Sequence, residues 1–147
     1  MIRVARKYKN REYELIKQKL DSYLSLCTQF YDLLRPAPPE DAYSFYRSYV
    51  GNTGGPILEP MCGSGRFLIP LLQDGFDVHG FDASEYMLES LRAKADQKHL
   101  KPTVWNGFVE DLTSTEKYNL IFIPSGSFGH IIDLNGLDRR CDHMTTI

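Results

Sequence analysis

A glycine turn between an apolar segment and a helical one constrains the fold of this chain more than any other sequence feature. Residues 57–59 are apolar and end in the acid Glu59, and Gly63 and Gly65 follow closely. Because glycine has no side chain, it accepts unusual dihedrals and lets a ligand lie directly against the backbone. Residues 66–73 then favour a helix. The glycines alone would also fit an ordinary strand-to-helix turn, so the rest of the chain has to decide.

Apolar and amphipathic segments alternate along the remainder of the chain, which is typical of an α/β fold. This alternation predicts a parallel sheet with right-handed crossovers. Ser84 is a good N-cap for the helix that follows the second strand. The predicted strands are residues 57–59, 76–81, 102–106 and 118–123, and the predicted helices among and after them are 66–73, 85–97 and 133–144.

The first third of the chain is helical in pattern instead. Apolar residues recur at three- and four-residue steps over residues 12–34, and a proline-rich segment follows at residues 35–39. A second helix is predicted over residues 40–50. We therefore expect a helical lid over residues 1–55 and a sheet domain over residues 56–147.

Composition excludes several classes of protein. The chain has 147 residues and a net charge of −2, so nothing favours nucleic acid as a partner. No apolar run reaches about 18 residues, so we expect no membrane span. The cysteines Cys27, Cys62 and Cys141 are far apart, which fits neither a zinc site nor a disulfide framework. Reduced thiols favour a cytoplasmic protein, and no metal ligand set is predicted.

Three separate segments are predicted to meet at one edge of the sheet. In parallel α/β sheets, ligands bind beyond the carboxyl ends of the strands. The turn at Gly63 and Gly65, the acid Asp82 and the loop after Pro124 all follow strands in this way. A carboxylate at the position of Asp82 can accept hydrogen bonds from both hydroxyls of a ribose, although it would also suit a helix cap.

The turn favours one kind of nucleoside over the others. The dinucleotide fingerprint needs a third glycine, and Leu68 stands at that position, so a nucleotide-binding oxidoreductase is the poorer hypothesis. No phosphate-binding P-loop sequence is present either. Glu59 would repel a pyrophosphate above it but suits a ligand with an ammonium and a sulfonium group. These charges favour S-adenosylmethionine.

Two motifs carry a resemblance to a known family. Residues 57–66 resemble motif I of the class I S-adenosylmethionine-dependent methyltransferases, and residues 80–88 resemble their second motif. The likeness extends from about Tyr31 to His130. It implies that Asp82 binds the ribose and that Tyr31 lies over the cofactor. The implied cofactor-binding set is Tyr31, Glu59, Met61, Cys62, Gly63, Gly65, Asp82, Ala83, Met87, Phe108 and Val109.

The chain departs from the family pattern at single positions. Met61 replaces the usual first glycine of motif I, where its bulk would narrow the site. Phe108 stands where the family often has an acid that contacts the adenine amino group; an aromatic ring there can stack but cannot accept that hydrogen bond. Asn119 replaces a common aspartate before the fourth strand.

The chain also ends soon after the predicted fourth strand, whereas the family's sheet has seven strands. The resemblance therefore implies a partial three-layer, Rossmann-like sheet in the order 3-2-1-4, from a truncated chain. Residues 120–123 would then form an exposed apolar edge, which usually has to be covered. We expect two copies to pair through this edge as a homodimer.

Two functions follow from these observations. The first is an S-adenosylmethionine-dependent methyltransferase that acts on a small molecule. In it, His130 is a candidate base, although a histidine at such a position more often belongs to a loop or caps a helix. The second is a truncated, non-catalytic remnant that binds S-adenosylmethionine and is stabilised by dimerisation.

Overall fold

The centre of the molecule is a sheet of parallel strands. The computed structural model of the chain describes residues 25–109, 112 and 116–130. Residues 129 and 130 are described by their backbone alone. Within the described residues the strand order is β3-β2-β1-β4, with every pairing parallel. This confirms the predicted order 3-2-1-4 and the Rossmann-like class. The strands are β1 (Ile57–Pro60), β2 (Val78–Asp82), β3 (Thr103–Asn106) and β4 (Leu120–Ile121).

The helices precede the sheet or connect its strands. They are α1 (Ser25–Leu34), α2 (Glu40–Gly51), α3 (Leu68–Gln73) and α4 (Glu85–Gln97), and a short 3-10 helix follows β4 at Ser127–His130. Ser84 caps α4 as predicted, since its side chain accepts a hydrogen bond from the amide of Met87. No described helix combines the length and the apolar character that a membrane crossing needs.

Several boundaries differ from the sequence predictions. Helix α3 begins at Leu68 instead of Arg66, because the preceding residues complete the glycine turn. Pro70 therefore lies in the first turn of α3, where proline is tolerated. Residues 12–24 and the helix predicted over residues 133–144 lie outside the described part of the chain.

Side chains alternate between the two faces of β1, which gives the sheet a core on each side. On one face, Ile57 packs with residues of α3 and α4. On the other, Leu58 packs with Phe81 and Val109. Both Ile57 and Leu58 are almost fully buried, at 1% and 0% exposure. The sheet therefore has a fixed register at the point where its carboxyl ends meet the glycine turn.

The side chains of residues 120–123 are half-buried or buried, so the prediction that they would be exposed is wrong. The backbone edge of β4 that faces away from β1 pairs with no strand of the described residues, as predicted. Phe122 is buried, and the ring of Tyr46 from α2 lies against it with centroids 5.3 Å apart. Tyr46 also meets Phe67 edge-on at 5.5 Å, and Val50 at the end of α2 belongs to the same core. Helix α2 thus covers Phe122, one of the four residues of this segment.

Candidate cofactor site

The two glycines of the turn have different surroundings and therefore different roles. Both have a positive φ, 54° at Gly63 and 80° at Gly65, which favours glycine. A Cβ atom on Gly65 would lie 2.8 Å from Leu91 and 3.0 Å from Ile69, so this glycine lets α3 and α4 pack closely. A Cβ atom on Gly63 would meet nothing within 4 Å. Gly63 therefore presents an open stretch of backbone to the space above the sheet.

Asp82 is held between two loops at the end of β2. Its Oδ2 accepts a hydrogen bond from the amide of Gly63 over 2.8 Å, and its Oδ1 accepts one from the amide of Ser84 over 2.8 Å. Each carboxylate oxygen has a further lone pair for a ligand hydroxyl. Burial raises the pKa of Asp82, although the amides of Ser84, Gly63 and Ala83 oppose that shift. The carboxylate is thus oriented by backbone donors and largely removed from water.

Asn106 fixes the end of the strand that carries this acid, a role that no sequence motif indicated. Its side-chain amide donates to the carbonyl oxygens of Asp82, over 3.1 Å, and Ala83, over 3.0 Å. The amide of Gly107 also donates to the carbonyl of Asp82, over 3.1 Å. The available signal was the register, because parallel pairing sets Asn106 beside Asp82.

Glu59 lies beneath the turn, at 2% exposure. The backbone amide of Leu68 hydrogen-bonds to its carboxyl group, but its Oε2 has no hydrogen-bond partner in the described part of the chain. Burial, followed by the nearby charge of Asp82, raises the pKa of Glu59 well above its usual range. A buried acceptor without a partner is costly. The site therefore favours either a proton on Glu59 or a positive charge close to it.

Met61 and Cys62 occupy the entrance to the turn. Met61 has a φ of 57°, a region that favours glycine, which explains why the resembled motif has glycine there. It is half-buried and packs against the core formed by Leu58 and Phe81. Cys62 is buried, and its thiol packs where a Cβ on Gly80 would be. Burial, with the charges of Glu59 and Asp82, raises the pKa of this thiol well above its usual range, so Cys62 is a neutral packing residue.

The adenine side of the predicted site is formed by the start of α4 and the end of β3. Met87 and Val109 are buried, whereas Ala83 and Phe108 are half-buried. Trp105, the single tryptophan of the chain, stacks on Phe81 with ring centroids 5.4 Å apart. Its indole would lie 3.6 Å from a Cβ on Gly107, so it is a fluorescent reporter close to Asp82.

Other predicted residues lie farther from these contacts. Tyr31 is half-buried on α1, and the guanidinium of Arg35 lies 5.8 Å from its ring centroid. The next residue, Asp32, hydrogen-bonds to Ser64 in the glycine turn. His130 ends the 3-10 helix, but its side chain lies outside the described part of the chain. Its role as a base stays a prediction.

Comparison with known proteins identifies the family. The sequence model of a protein family described as the methyltransferase domain matches residues 57–145, which is more than half of the chain. The chain therefore belongs to the methyltransferase domain family, and the predicted resemblance is confirmed. A curated relative, a putative methyltransferase from Geobacillus sp. (strain WCH70), is 26% identical over 109 residues, covering 71% of this chain and 44% of the relative.

Solved structures show the same fold. An S-adenosylmethionine-dependent methyltransferase from Clostridium acetobutylicum ATCC 824 superposes with a TM-score of 0.68 at 20% identity, over 85% of this chain and 52% of that one. The glycopeptide N-methyltransferase MtfA complexed with S-adenosyl-L-methionine superposes with a TM-score of 0.61 at 21% identity, over 74% of this chain and 48% of that one. This chain thus spans about half the length of these relatives.

Proposed function

We propose that this chain binds S-adenosylmethionine above Gly63 and Asp82 and transfers its methyl group to a small molecule. The observation that carries the proposal is the Asp82 carboxylate, which backbone amides of two separate loops hold at the carboxyl end of β2. Family membership and the neighbours solved with S-adenosyl-L-methionine or S-adenosyl-L-homocysteine support this cofactor.

The described residues fit the cofactor in three respects. The backbone at Gly63 is open, so the methionine part can lie directly against it. The oxygens of Asp82 have lone pairs free for two ribose hydroxyls. The unpartnered Oε2 of Glu59 lies below the turn, where a ligand's positive charge would stabilise the ionised carboxylate. An anionic pyrophosphate would find no such complement.

The chain's own contribution to the reaction is mainly placement. When bound, S-adenosylmethionine supplies an electrophilic methyl group on a sulfonium. Holding a nucleophile in line with that carbon accounts for much of the barrier reduction. Asp82 anchors the ribose, Gly63 sets the depth of the methionine part, and Asn106 keeps the end of β2 in position. For an acceptor that must lose a proton, we assign the base to His130.

A small-molecule acceptor is the finer part of the proposal. The fold neighbour MtfA is described as a glycopeptide N-methyltransferase, so this fold serves acceptors other than nucleic acids. The predicted helical lid over residues 1–55 would enclose such an acceptor above the sheet. Free thiols at Cys27 and Cys62 also fit the proposed cytoplasmic location.

Calorimetric titration of S-adenosylmethionine into the purified chain tests the site. We expect one molecule to bind per chain and Asp82→Ala to lower the affinity by about 100-fold or more. S-adenosylhomocysteine should compete, because it keeps the ribose and adenine. A wild type that binds neither ligand would overturn the proposal. If the cofactor binds, turnover with a panel of small nucleophiles tests the acceptor class.

The non-catalytic remnant is a second candidate, and one observation favours the homodimer that it includes. Strand β4 pairs with β1 along one edge, and no other strand of the described residues pairs with its second edge. An unpaired edge can template pairing with another chain, so this candidate includes a homodimer through β4. Light scattering that shows a dimer, together with cofactor binding but no turnover, would favour the remnant. A monomer that turns over would exclude it.

A further inference from the structure

The carboxylate of Asp32 on α1 gathers donors from two other parts of the fold. Its Oδ1 accepts hydrogen bonds from the hydroxyl of Ser64, over 2.5 Å, and from the ammonium of Lys94, over 2.9 Å. Its Oδ2 accepts one from the hydroxyl of Ser90, also over 2.5 Å. Ser90 and Lys94 lie one turn apart on α4, and Ser64 lies inside the glycine turn. One side chain thus ties α1 to both.

The contacts favour an ionised Asp32. Its side chain is 24% exposed, and this burial alone would raise the pKa of Asp32. The hydrogen bonds from Ser64, Ser90 and Lys94 outweigh burial and lower the pKa instead. Charge-assisted hydrogen bonds of this kind are stronger than neutral ones. The arrangement is therefore a clamp that depends on charge.

Apolar packing contributes little to the attachment of α1. Of the residues of α1, only Thr28 is buried. The side chains that would normally seat an amphipathic helix are open to solvent: Leu26 is 75% exposed, Phe30 62%, Leu33 80% and Leu34 63%. A second polar contact follows α1, where the guanidinium Nε of Arg66 donates to the carbonyl of Ala37 over 2.8 Å. Polar contacts to the turn thus hold this segment.

Both contacts reach residues that flank Gly65. Ser64 lies between Gly63 and Gly65 and is 1% exposed, so its hydroxyl can meet Asp32 only while the turn keeps this conformation. Arg66 follows Gly65 directly. A ligand that rests on Gly63 and holds the turn in place would therefore also hold the partner of Asp32 in place.

We propose that Asp32 is a positioning residue that fastens α1 to the glycine turn and couples the docking of this helix to occupancy of the cofactor site. The coupling rests on the proposed function, whereas the fastening of α1 does not. Linkage between the two equilibria is reciprocal. If the bound cofactor strengthens the docking of α1 by some factor, the docking of α1 strengthens the affinity for the cofactor by the same factor, and loss of the clamp removes both effects.

Hydrogen exchange of the α1 backbone, read by mass spectrometry, tests the fastening without any ligand. Asp32→Asn removes the charge with little change in size, and Asp96→Asn removes an exposed carboxylate of α4 as a matched control. We expect exchange over residues 25–34 to rise about tenfold or more in Asp32→Asn and to stay unchanged in the control. Lys94→Met, which removes one donor from the far side, should show a smaller rise. Equal exchange in wild type and Asp32→Asn overturns the proposal.

Titration with S-adenosylmethionine, followed by Trp105 fluorescence, tests the coupling. We expect cofactor to slow α1 exchange in the wild type and not in Asp32→Asn, whose dissociation constant should rise about tenfold. Ser64→Ala should add little once Asp32 is replaced, because the two residues form one contact. Unchanged affinity in Asp32→Asn, with normal binding by the wild type, contradicts the coupling. A wild type that fails to bind contradicts the proposed function instead and leaves the ligand-free exchange result to decide on the clamp.

Discussion

The amide of Gly63 donates a hydrogen bond of 2.8 Å to Oδ2 of Asp82, which joins the turn after β1 to the end of the neighbouring strand β2. These residues are nineteen positions apart in sequence, and the parallel pairing of β1 with β2 brings them together. The bond fixes the carboxylate against the turn before any ligand arrives. A site that is oriented in advance loses less conformational freedom on binding.

Replacement of Asp82 should weaken cofactor binding strongly. Asp82→Ala removes an acceptor of charge-assisted hydrogen bonds, each of which contributes about 1.5–3 kcal/mol. We therefore expect the affinity for S-adenosylmethionine to fall by about 100-fold or more in calorimetric titration. Asp96→Ala, an exposed change on α4, is the control and should leave the affinity unchanged. Comparable losses in both variants would contradict a ribose-binding role for Asp82.

Cofactor binding should weaken in mild acid. The ionised form of Asp82 is the better acceptor for ribose hydroxyls, and burial raises its pKa, so protonation begins at a higher pH than for an ordinary aspartate. Affinity should thus be full at neutral pH and decline as the pH falls through this raised pKa. Cofactor titrations followed by Trp105 fluorescence, at a series of acidic pH values, measure this decline in affinity. Asp82→Asn, which does not titrate, should bind weakly at every pH; a decline of the same shape in this variant would place the titrating group elsewhere.

The two glycines of the turn should fail in different ways when they gain a methyl group. In Gly65→Ala the new Cβ lies 2.8 Å from Leu91, so overpacking should lower the free energy of unfolding by about 1–3 kcal/mol. In Gly63→Ala no atom is within 4 Å, and only the positive φ opposes the change, at a cost of about 1–2 kcal/mol. Its main effect should be on the cofactor, because the methyl group fills the open surface.

Thermal unfolding and cofactor titration of both glycine variants, side by side, check this division. The greater loss of stability should belong to Gly65→Ala, and the greater loss of affinity relative to stability to Gly63→Ala. If Gly63→Ala bound the cofactor as tightly as the wild type, the ligand would not rest on this part of the backbone.

Local patterns predicted the parts of the fold that depend on local chemistry. The apolar segment before Gly63, the cap at Ser84 and the acid at the end of β2 are each set by a few neighbouring residues, and the structure has all of them. The order of the strands in the sheet was predicted from the resemblance to the family. Boundaries were less accurate, since β4 has two residues where six were predicted. Hydropathy marks an apolar segment, but hydrogen bonding to β1 decides how much of it is strand.

Contacts between distant residues could not be predicted in the same way. Asp32 lies 32 positions from its partner Ser64. Asn106 lies 24 positions from its partner Asp82. Polar residues this far apart in sequence carry no local signal of their contact. The cover that Tyr46 provides for Phe122 likewise depends on how α2 crosses the sheet. These side chains position the candidate site without being part of its motifs.

Glu59 should make the stability of the chain depend on pH in an unusual direction. Burial raises its pKa in the folded state, so the folded chain binds more protons than the unfolded one between the two pKa values. The free energy of unfolding should therefore be highest below the unfolded pKa and decrease as the pH rises through the folded pKa. Glu59→Gln cannot titrate, and we expect it to lose this slope and to be the more stable variant at neutral pH. Urea unfolding at a series of pH values measures both effects.

The same residue should release a proton when the cofactor binds. A cation placed near Oε2 of Glu59 lowers the pKa of the carboxyl group, and the proton that leaves is taken up by the buffer. Calorimetric titrations in phosphate and in Tris, whose ionisation enthalpies differ, should then give different binding enthalpies for the wild type and equal ones for Glu59→Gln. Equal enthalpies in the wild type, with tight binding, would mean that the charge of Glu59 does not respond to the ligand. Glu59 would then serve only to anchor the start of α3 through Leu68.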